Sequence, residues 1–477
     1  MAPRAESPES PETVAEDQMT DLSDELLPTT RRALLHRLAV AQSEGRTPSM
    51  VAGVLRDGRL VWSGARSMVD GHAPTTDVQY RIGSITKTFV AVLVLRLRDE
   101  GLLDLADPLG RHLPGTPADG ATVAQLLSHS AGLASETPGP WWERTDGALR
   151  PDLADILEAE RPLRHPAGRV HHYSNPTYAL LGALVERLRG EPWGEVLRRE
   201  VLAPLGMDRT GLLPEHPHAG GFAVHPWADV LLPEPLTDTG LMAPAGQLWS
   251  TVADLAKWAA FLASGHEQVL SADTVAEMRR PAVAPEPGDW SETYGLGLQL
   301  VQHDGRILHG HSGSMPGFTA GLWVSETDGL AAIVFANSTS GPRTAHVAAE
   351  LLALTAQHEP RIPEPWRPLA EFDEQLLALT GPWYWGAAPH SLRLTADRGL
   401  ELSVLGRAGR AGRFRAEADG TWTGLDDYYA GETLRVVRAD DGSVSHLDIG
   451  SFVFTREPYG PAGAVPGGVD PQGWRVY

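Results

Sequence analysis

Tyr80-Arg81-Ile82-Gly83-Ser84-Ile85-Thr86-Lys87-Thr88-Phe89-Val90 is the stretch on which the reading of this chain turns. A serine stands just ahead of a long apolar run, and a lysine follows three positions later. If Ser84 opens a helix, its hydroxyl and the Lys87 amine share one face within a turn. A serine hydroxyl is a weak nucleophile until a neighbouring base takes its proton, and a neutral amine can be that base. The lysine is also conspicuous by rarity, because among 40 Lys+Arg only Lys87 and Lys257 are lysines. Arginine keeps its proton in a protein, whereas lysine gives it up when desolvated. Bringing an amine from about 10.4 to near 7 costs roughly 4 to 5 kcal/mol, a cost that burial can impose. A lysine kept where arginine would not serve points to deprotonation chemistry. Taken alone, Ser-x-x-Lys is a short pattern that also arises by chance.

Residues 89–97 are apolar on every side, which marks a helix buried inside a large domain. Ser84 would then stand at the positive end of a rigid central support. Upstream, Leu34, Leu35 and Leu38 fall at helical spacing, and 51–56 and 59–62 read as a hairpin turning on Asp57-Gly58. Downstream come short helices and loops over 100–170, then helices over 177–189 and 252–263. Strand-like runs follow at 294–300, 306–308, 318–324 and 330–335, and a helix at 344–354. Pro360, Pro363, Pro365 and Pro368 then mark a connector. Beyond it, runs at 391–395, 401–405, 433–437 and 451–455 with regular turns predict a small antiparallel barrel.

At 477 residues the chain exceeds a usual single domain, so two are expected. The expected division is an acidic tail over 1–29, an α/β domain over 30–357, a linker over 358–370, a barrel over 371–460 and a loose tail over 461–477. A net charge of −21 argues against nucleic acid or an anionic membrane as partner. The absence of cysteine removes disulfides, thiol catalysis and cysteine-ligated zinc together. The first 30 residues are acidic and rich in Pro and Ser with no apolar core, so they read as disordered and not as a secretory signal. No stretch has membrane length. A cytoplasmic location is the resulting expectation.

Two distant pieces lift Ser84 above chance. One is Tyr173-Ser174-Asn175, just before the 177–189 helix, and the other is Gly310-His311-Ser312-Gly313-Ser314 in the strand region. In that order, Ser-x-x-Lys, Tyr-x-Asn and His-Ser-Gly resemble the three signatures of the serine penicillin-recognising enzymes. These comprise class C β-lactamases, D-alanyl-D-alanine carboxypeptidases, D-stereospecific aminopeptidases and related esterases. The resemblance spans about residues 45–355, with supporting phrases at 126–133, Pro204-Leu205-Gly206-Met207, Ala245-Gly246-Gln247 and Tyr294-Gly295.

The resemblance implies a β-lactamase/transpeptidase-like α/β domain, an antiparallel sheet flanked by helices. Ser84 would form an acyl-enzyme, with Lys87 and Tyr173 sharing the base role. Asn175 would bind the substrate amide and steady Lys87. His311 would fix the substrate or the Tyr173 hydroxyl, beside Gly313. Backbone N–H groups of Ser84 and Ser314 would form an oxyanion hole, typically worth about 3 to 4 kcal/mol. Efficient β-lactamases of the family usually carry Lys-Thr-Gly at the third motif. The His-Ser-Gly found in this chain is more typical of the peptidases and speaks against antibiotic resistance.

The C-terminal segment, opening with Gly381-Pro382-Trp383-Tyr384-Trp385, is similar to lipocalin-like barrels appended to some members. That layout also occurs in penicillin-binding-protein-type thioesterases that macrocyclise nonribosomal peptides. The expected substrate is thus a small molecule or peptide, or a peptide presented by a biosynthetic carrier. Arg456 either reaches the cleft to hold a carboxylate or closes the barrel as a surface arginine. His171-His172 and His216-Pro217-His218 lack a carboxylate-bearing zinc pattern, so neither metal nor cofactor is expected. A catalytically silent scaffold is the remaining alternative. Trp141 and Trp142 belong to the cleft mouth or to the core, and Lys257 to a helix surface.

Overall fold

The computed structural model describes residues 26–69, 74–139, 141–144, 153, 162–284, 291–363, 365–369, 371–406 and 409–460. The chain divides into two compact units, Met1–Arg361 and Ile362–Tyr477. The parts of the expected terminal tails that fall at 1–25 and 461–477 lie outside the described residues.

In the first unit, α1 (Pro28–Glu44) begins on a proline, whose missing N–H is not needed in a first turn. Leu34 and Leu38 of α1 are buried, whereas Leu35 faces outward. Strands β1 (Ser49–Arg56) and β2 (Arg59–Ser67) join through Asp57 and Gly58, at φ 48° and 77°. A two-residue hairpin requires that pair of left-handed conformations, and Asp-Gly supplies it cheaply. Helix α2 (Thr86–Asp99) follows a 3₁₀ turn at Gly83–Ile85, so Ser84 stands just ahead of the helix and not in its first turn. Every residue of α2 from Thr86 to Leu95 is buried. Phe89 stacks on Trp258 with centroids 3.8 Å apart, and the Trp258 indole N–H donates to Thr88 Oγ1 at 2.9 Å.

Helix α3 (Asn175–Arg189) starts two residues earlier than its apolar spacing indicates, because Ser174 caps it by accepting from the Thr177 N–H. Helix α4 (Val252–Ser264) is capped in the same way by Thr251. Five further strands complete the sheet: β3 (Glu292–Tyr294), β4 (Gln299–His303), β5 (Arg306–Met315), β6 (Phe318–Ser325) and β7 (Leu330–Ala336). Helix α5 (Thr344–His358) follows. The strand order is β2-β1-β7-β6-β5-β4-β3, antiparallel throughout.

Side chains alternate across a strand. On β1, Val51 and Leu55 therefore join one core with α2, α3 and α4, while Met50, Ala52 and Val54 join a second core with α1 and α5. The sheet is the middle of three layers. Two expectations change here. The run at 294–300 is not one strand but breaks over 295–298. Gly297, at φ 81°, lies so close to α2 that a Cβ would sit 2.1 Å from the Ala91 Cβ. The run at 306–308 extends to Met315, so the His-Ser-Gly motif lies inside a long strand.

The second unit is an up-and-down meander of eight strands in chain order. These are β8 (Gly381–Trp385), β9 (Ala388–Leu394), β10 (Leu400–Val404), β11 (Gly412–Ala416), β12 (Trp422–Gly424), β13 (Thr433–Arg438), β14 (Val444–Ile449) and β15 (Phe452–Phe454). Tyr384 and Thr455 exchange backbone hydrogen bonds of 2.7 and 2.9 Å, which tie the last strand to the first and nearly close a barrel. Trp383, Leu402, Phe414, Leu434, Leu447 and Phe454 fill it. Among the described residues, no helix is long and apolar enough to cross a membrane.

Candidate active site

The turn carrying Ser84 is gripped from two sides. Tyr80–Arg81 pairs with Trp249–Ser250, and the Ile82 N–H donates to the Leu248 carbonyl at 2.9 Å. On the other side β5 presses its backbone directly on the turn. A Cβ on Gly313 would fall 1.9 Å from the Ile82 carbonyl oxygen and 3.3 Å from Ser84 N. A Cβ on Gly83, already at φ 54°, would fall 2.4 Å from Ser314 N. Glycine at both places lets the two main chains touch, so the Ser84 and Ser314 amides belong to facing backbones.

Lys87 is wholly buried in the first turn of α2. Its Nζ lies 3.0 Å from Ser84 Oγ, 2.8 Å from Asn175 Oδ1 and 2.6 Å from the Ala245 carbonyl oxygen. Burial lowers its pKa to about 7, against the opposing pull of Glu136 and Glu143. A neutral amine has two N–H donors and one lone pair. Asn175 and Ala245 accept the two N–H bonds, which leaves the lone pair for the Ser84 hydroxyl. The amine is thereby oriented as a base.

Asn175 is itself held, since its Nδ2 donates to Glu136 Oε1 at 2.7 Å. Glu136 Oε2 accepts from the Trp142 indole N–H at 2.8 Å, and Trp141 donates likewise to Glu143 at 2.7 Å. Trp141 is about half exposed, so it lies at the surface and not in the core.

Tyr173 hydrogen-bonds Ser84 through its hydroxyl, and its ring centroid is 4.9 Å from Lys87 Nζ. Burial pushes the phenol far above its ordinary range, so it stays neutral. The His311 ring lies 6.1 Å from that of Tyr173 by centroid, and its nitrogens engage Ser312 and Tyr294. Its Nδ1 faces the Ser312 carbonyl oxygen at 2.5 Å, and Nε2 lies 2.8 Å from the Tyr294 hydroxyl. A carbonyl can only accept, so Nδ1 carries the proton and Tyr294 donates to Nε2. Burial, with Lys87 nearby, lowers the His311 pKa to about 3, and the ring is neutral.

Ser84, Lys87, Tyr173, Asn175, His311, Gly313 and Ser314 are thus drawn together from the turn before α2 and its first turn, the segment leading into α3 and its first residue, and β5. Arg456 belongs to the barrel unit. Its guanidinium donates to the carbonyls of Ala378, Thr380 and Pro382 and lies 4.0 Å over the Trp383 ring. Those partners lie within the barrel unit and fit the reading of Arg456 as the arginine that closes the barrel. Lys257 bonds Asp254 of its own helix and the Gly206 carbonyl of the segment beside it. No cluster of metal-ligating side chains occurs among the described residues. Glu136 and the partnership of Tyr294 with His311 carry no local sequence signature, while Ala245 stands in a phrase already noted.

A family model described as Beta-lactamase matches residues 29–357, and one described as a domain of unknown function (DUF7586) matches 372–456. Penicillin-binding protein 4 of Amycolatopsis lactamdurans is 30% identical over 329 residues, covering 63% of this chain and 84% of its own length. The matched span is 48% and 60% of the length of two further curated relatives. The D-stereospecific amidohydrolase structure from Streptomyces sp. superposes with a TM-score of 0.57 at 25% identity, covering 70% of this chain and 99% of that one. The octameric penicillin-binding protein homologue from Pyrococcus abyssi shares the fold, with a TM-score of 0.62 at 23% identity over 89% of this chain and 99% of that one.

Proposed function

Because this chain belongs to the beta-lactamase family and is a serine hydrolase, we propose that it cleaves a peptide amide or ester, at a D-configured residue, through an acyl-Ser84 intermediate. The observation that carries this reading is the buried Lys87 Nζ lying 3.0 Å from Ser84 Oγ with its pKa lowered to about 7. Ser84 Oγ attacks the acyl carbonyl carbon while its proton passes to Lys87 Nζ. The carbonyl oxygen gains negative charge between the Ser84 and Ser314 amides. The tetrahedral intermediate collapses as the carbon–leaving-group bond breaks. The neutral Tyr173 hydroxyl, bonded to Ser84, relays the proton from Lys87 to the departing amine or alcohol. Water then repeats the sequence on the acyl-enzyme, releasing the acid and restoring Ser84.

Similarity to a D-stereospecific amidohydrolase supports the choice of substrate. A neutral His311 at the third motif supports an uncharged acyl partner there over a carboxylate. A fluorophosphonate probe is expected to label the wild type and not Ser84→Ala; absence of label on the wild type overturns the acyl-serine reading. Linear D- and L-configured peptide thioesters then separate the outcomes. Acid formed faster from the D-substrate supports the proposal, and a cyclic product replaces hydrolysis with macrocyclisation.

A further inference from the structure

His129 lies outside the chemistry described above, yet it carries two unfavourable features. It follows the short helix Val123–Leu127 at φ 54°, a left-handed position that favours glycine or asparagine. Its ring is buried, with Nε2 lacking a hydrogen-bond partner among the described residues. Strain and an orphaned polar atom persist where the surroundings use the residue for something else.

Its contacts show what that use is. The His129 carbonyl oxygen accepts from the His172 N–H at 2.8 Å, and its Nδ1 accepts from the Ser174 N–H at 3.1 Å. These two amides flank Tyr173. The imidazole lies on the Tyr173 ring, centroids 4.2 Å apart, and meets Tyr294 edge-on at 4.8 Å. Backbone, acceptor nitrogen and ring therefore all converge on one catalytic side chain. Two neighbouring bonds extend the same seam, from Ser174 Oγ to the Ala134 carbonyl at 2.7 Å and from the Asn175 N–H to the Ser135 carbonyl at 2.9 Å.

We propose that His129 is the positioning residue for Tyr173, gripping the backbone on both sides of it while the imidazole braces the phenol, so that the hydroxyl is held at Ser84. The left-handed backbone turns the side-chain acceptor and the carbonyl toward the same segment. Asparagine fits that backbone and places its Oδ1 near the Nδ1 position, whereas glycine fits the backbone and supplies no acceptor. Phenylalanine keeps the ring and loses the acceptor.

The inference rests on the acyl-transfer reading and is tested apart from it. Hydrolysis of p-nitrophenyl acetate is measured on the full chain for the wild type, His129→Asn, His129→Gly and His129→Phe. His129→Gly and His129→Phe are expected to lower kcat by at least about tenfold with KM within about twofold, and His129→Asn to stay within about threefold of wild type. Equal kcat for His129→Asn and His129→Gly overturns the proposal, as does wild-type kcat for His129→Phe. If His129→Phe does not fold, the Asn–Gly pair decides alone, because both suit the left-handed backbone. Fluorophosphonate labelling of wild-type Ser84 reports on the acyl-serine chemistry independently. Label present with Asn equal to Gly removes only the role of His129.

Discussion

Lys87 is where the chemistry is decided. Lowering its pKa from 10.5 to about 7 corresponds to roughly 5 kcal/mol of preference for the neutral amine. Between those two values the unfolded chain holds a proton that the folded chain does not. The cost to stability is therefore full below about pH 7 and fades as pH rises toward 10.5. Function takes the opposite benefit, since a base must be unprotonated. The kcat/KM of the wild type is expected to rise with pH through a midpoint near 7 and to flatten above it. Lys87→Arg should lose at least about 10³-fold and the rising limb with it; a flat wild-type profile from pH 5 to 9 argues against Lys87 as base. At this scale much was legible in the sequence. Ser-x-x-Lys in an arginine-rich chain, joined by Tyr173-Ser174-Asn175 and Gly310-His311-Ser312-Gly313-Ser314, names the pair, because burial can neutralise a lysine. The partner of His311 was not legible, because Tyr294 reaches it across strands paired in space.

At the scale of elements, the site depends on how closely β5 approaches the turn before α2. The apolar circumference of α2, the Asp57-Gly58 hairpin and the Ser174 and Thr251 caps are local signals, and each specifies its element from nearby residues. The break between β3 and β4 has no such signal in its own run. It follows from Gly295 and Gly297 lying against Met278 and Ala91, contacts that only the assembled fold reveals. Gly313 carries the sharpest consequence. A Cβ there must displace the Ile82 carbonyl, and neither backbone can move without shifting Ser84. Gly313→Ala is expected to lower stability by about 1–3 kcal/mol and to slow Ser84 labelling by tenfold or more. Urea unfolding and labelling rate measure the two effects. A variant labelled at the wild-type rate contradicts the close approach.

For the whole molecule, the two units carry different burdens of buried polarity. His309 and His311 lie in the first unit, and burial lowers both to about 3. Their unfolded-state value is near 6.5, so the unfolded chain binds more protons than the folded one between about pH 3 and 6.5. Stability of this unit is therefore expected to fall as pH drops through that window. In the barrel, His390 is shifted in the same direction but is less enclosed. Calorimetry at pH 7 and pH 5 should move the transition of the first unit down further than that of the barrel. Equal movement of both transitions contradicts the assignment. The proline-rich connector and the alternating runs beyond it make the barrel legible as a class. The choice between the two readings of Arg456 was not, because its partners are backbone carbonyls, which leave no mark in a side-chain sequence.

The chemistry requires one buried amine to lose its charge beside Ser84 near neutral pH. The chain has only two lysines, so ¹⁵Nζ-lysine labelling gives two side-chain resonances, and Lys257→Arg leaves one. The Lys87 resonance is expected to titrate with a midpoint near 7. A midpoint near the ordinary 10.5 would contradict it.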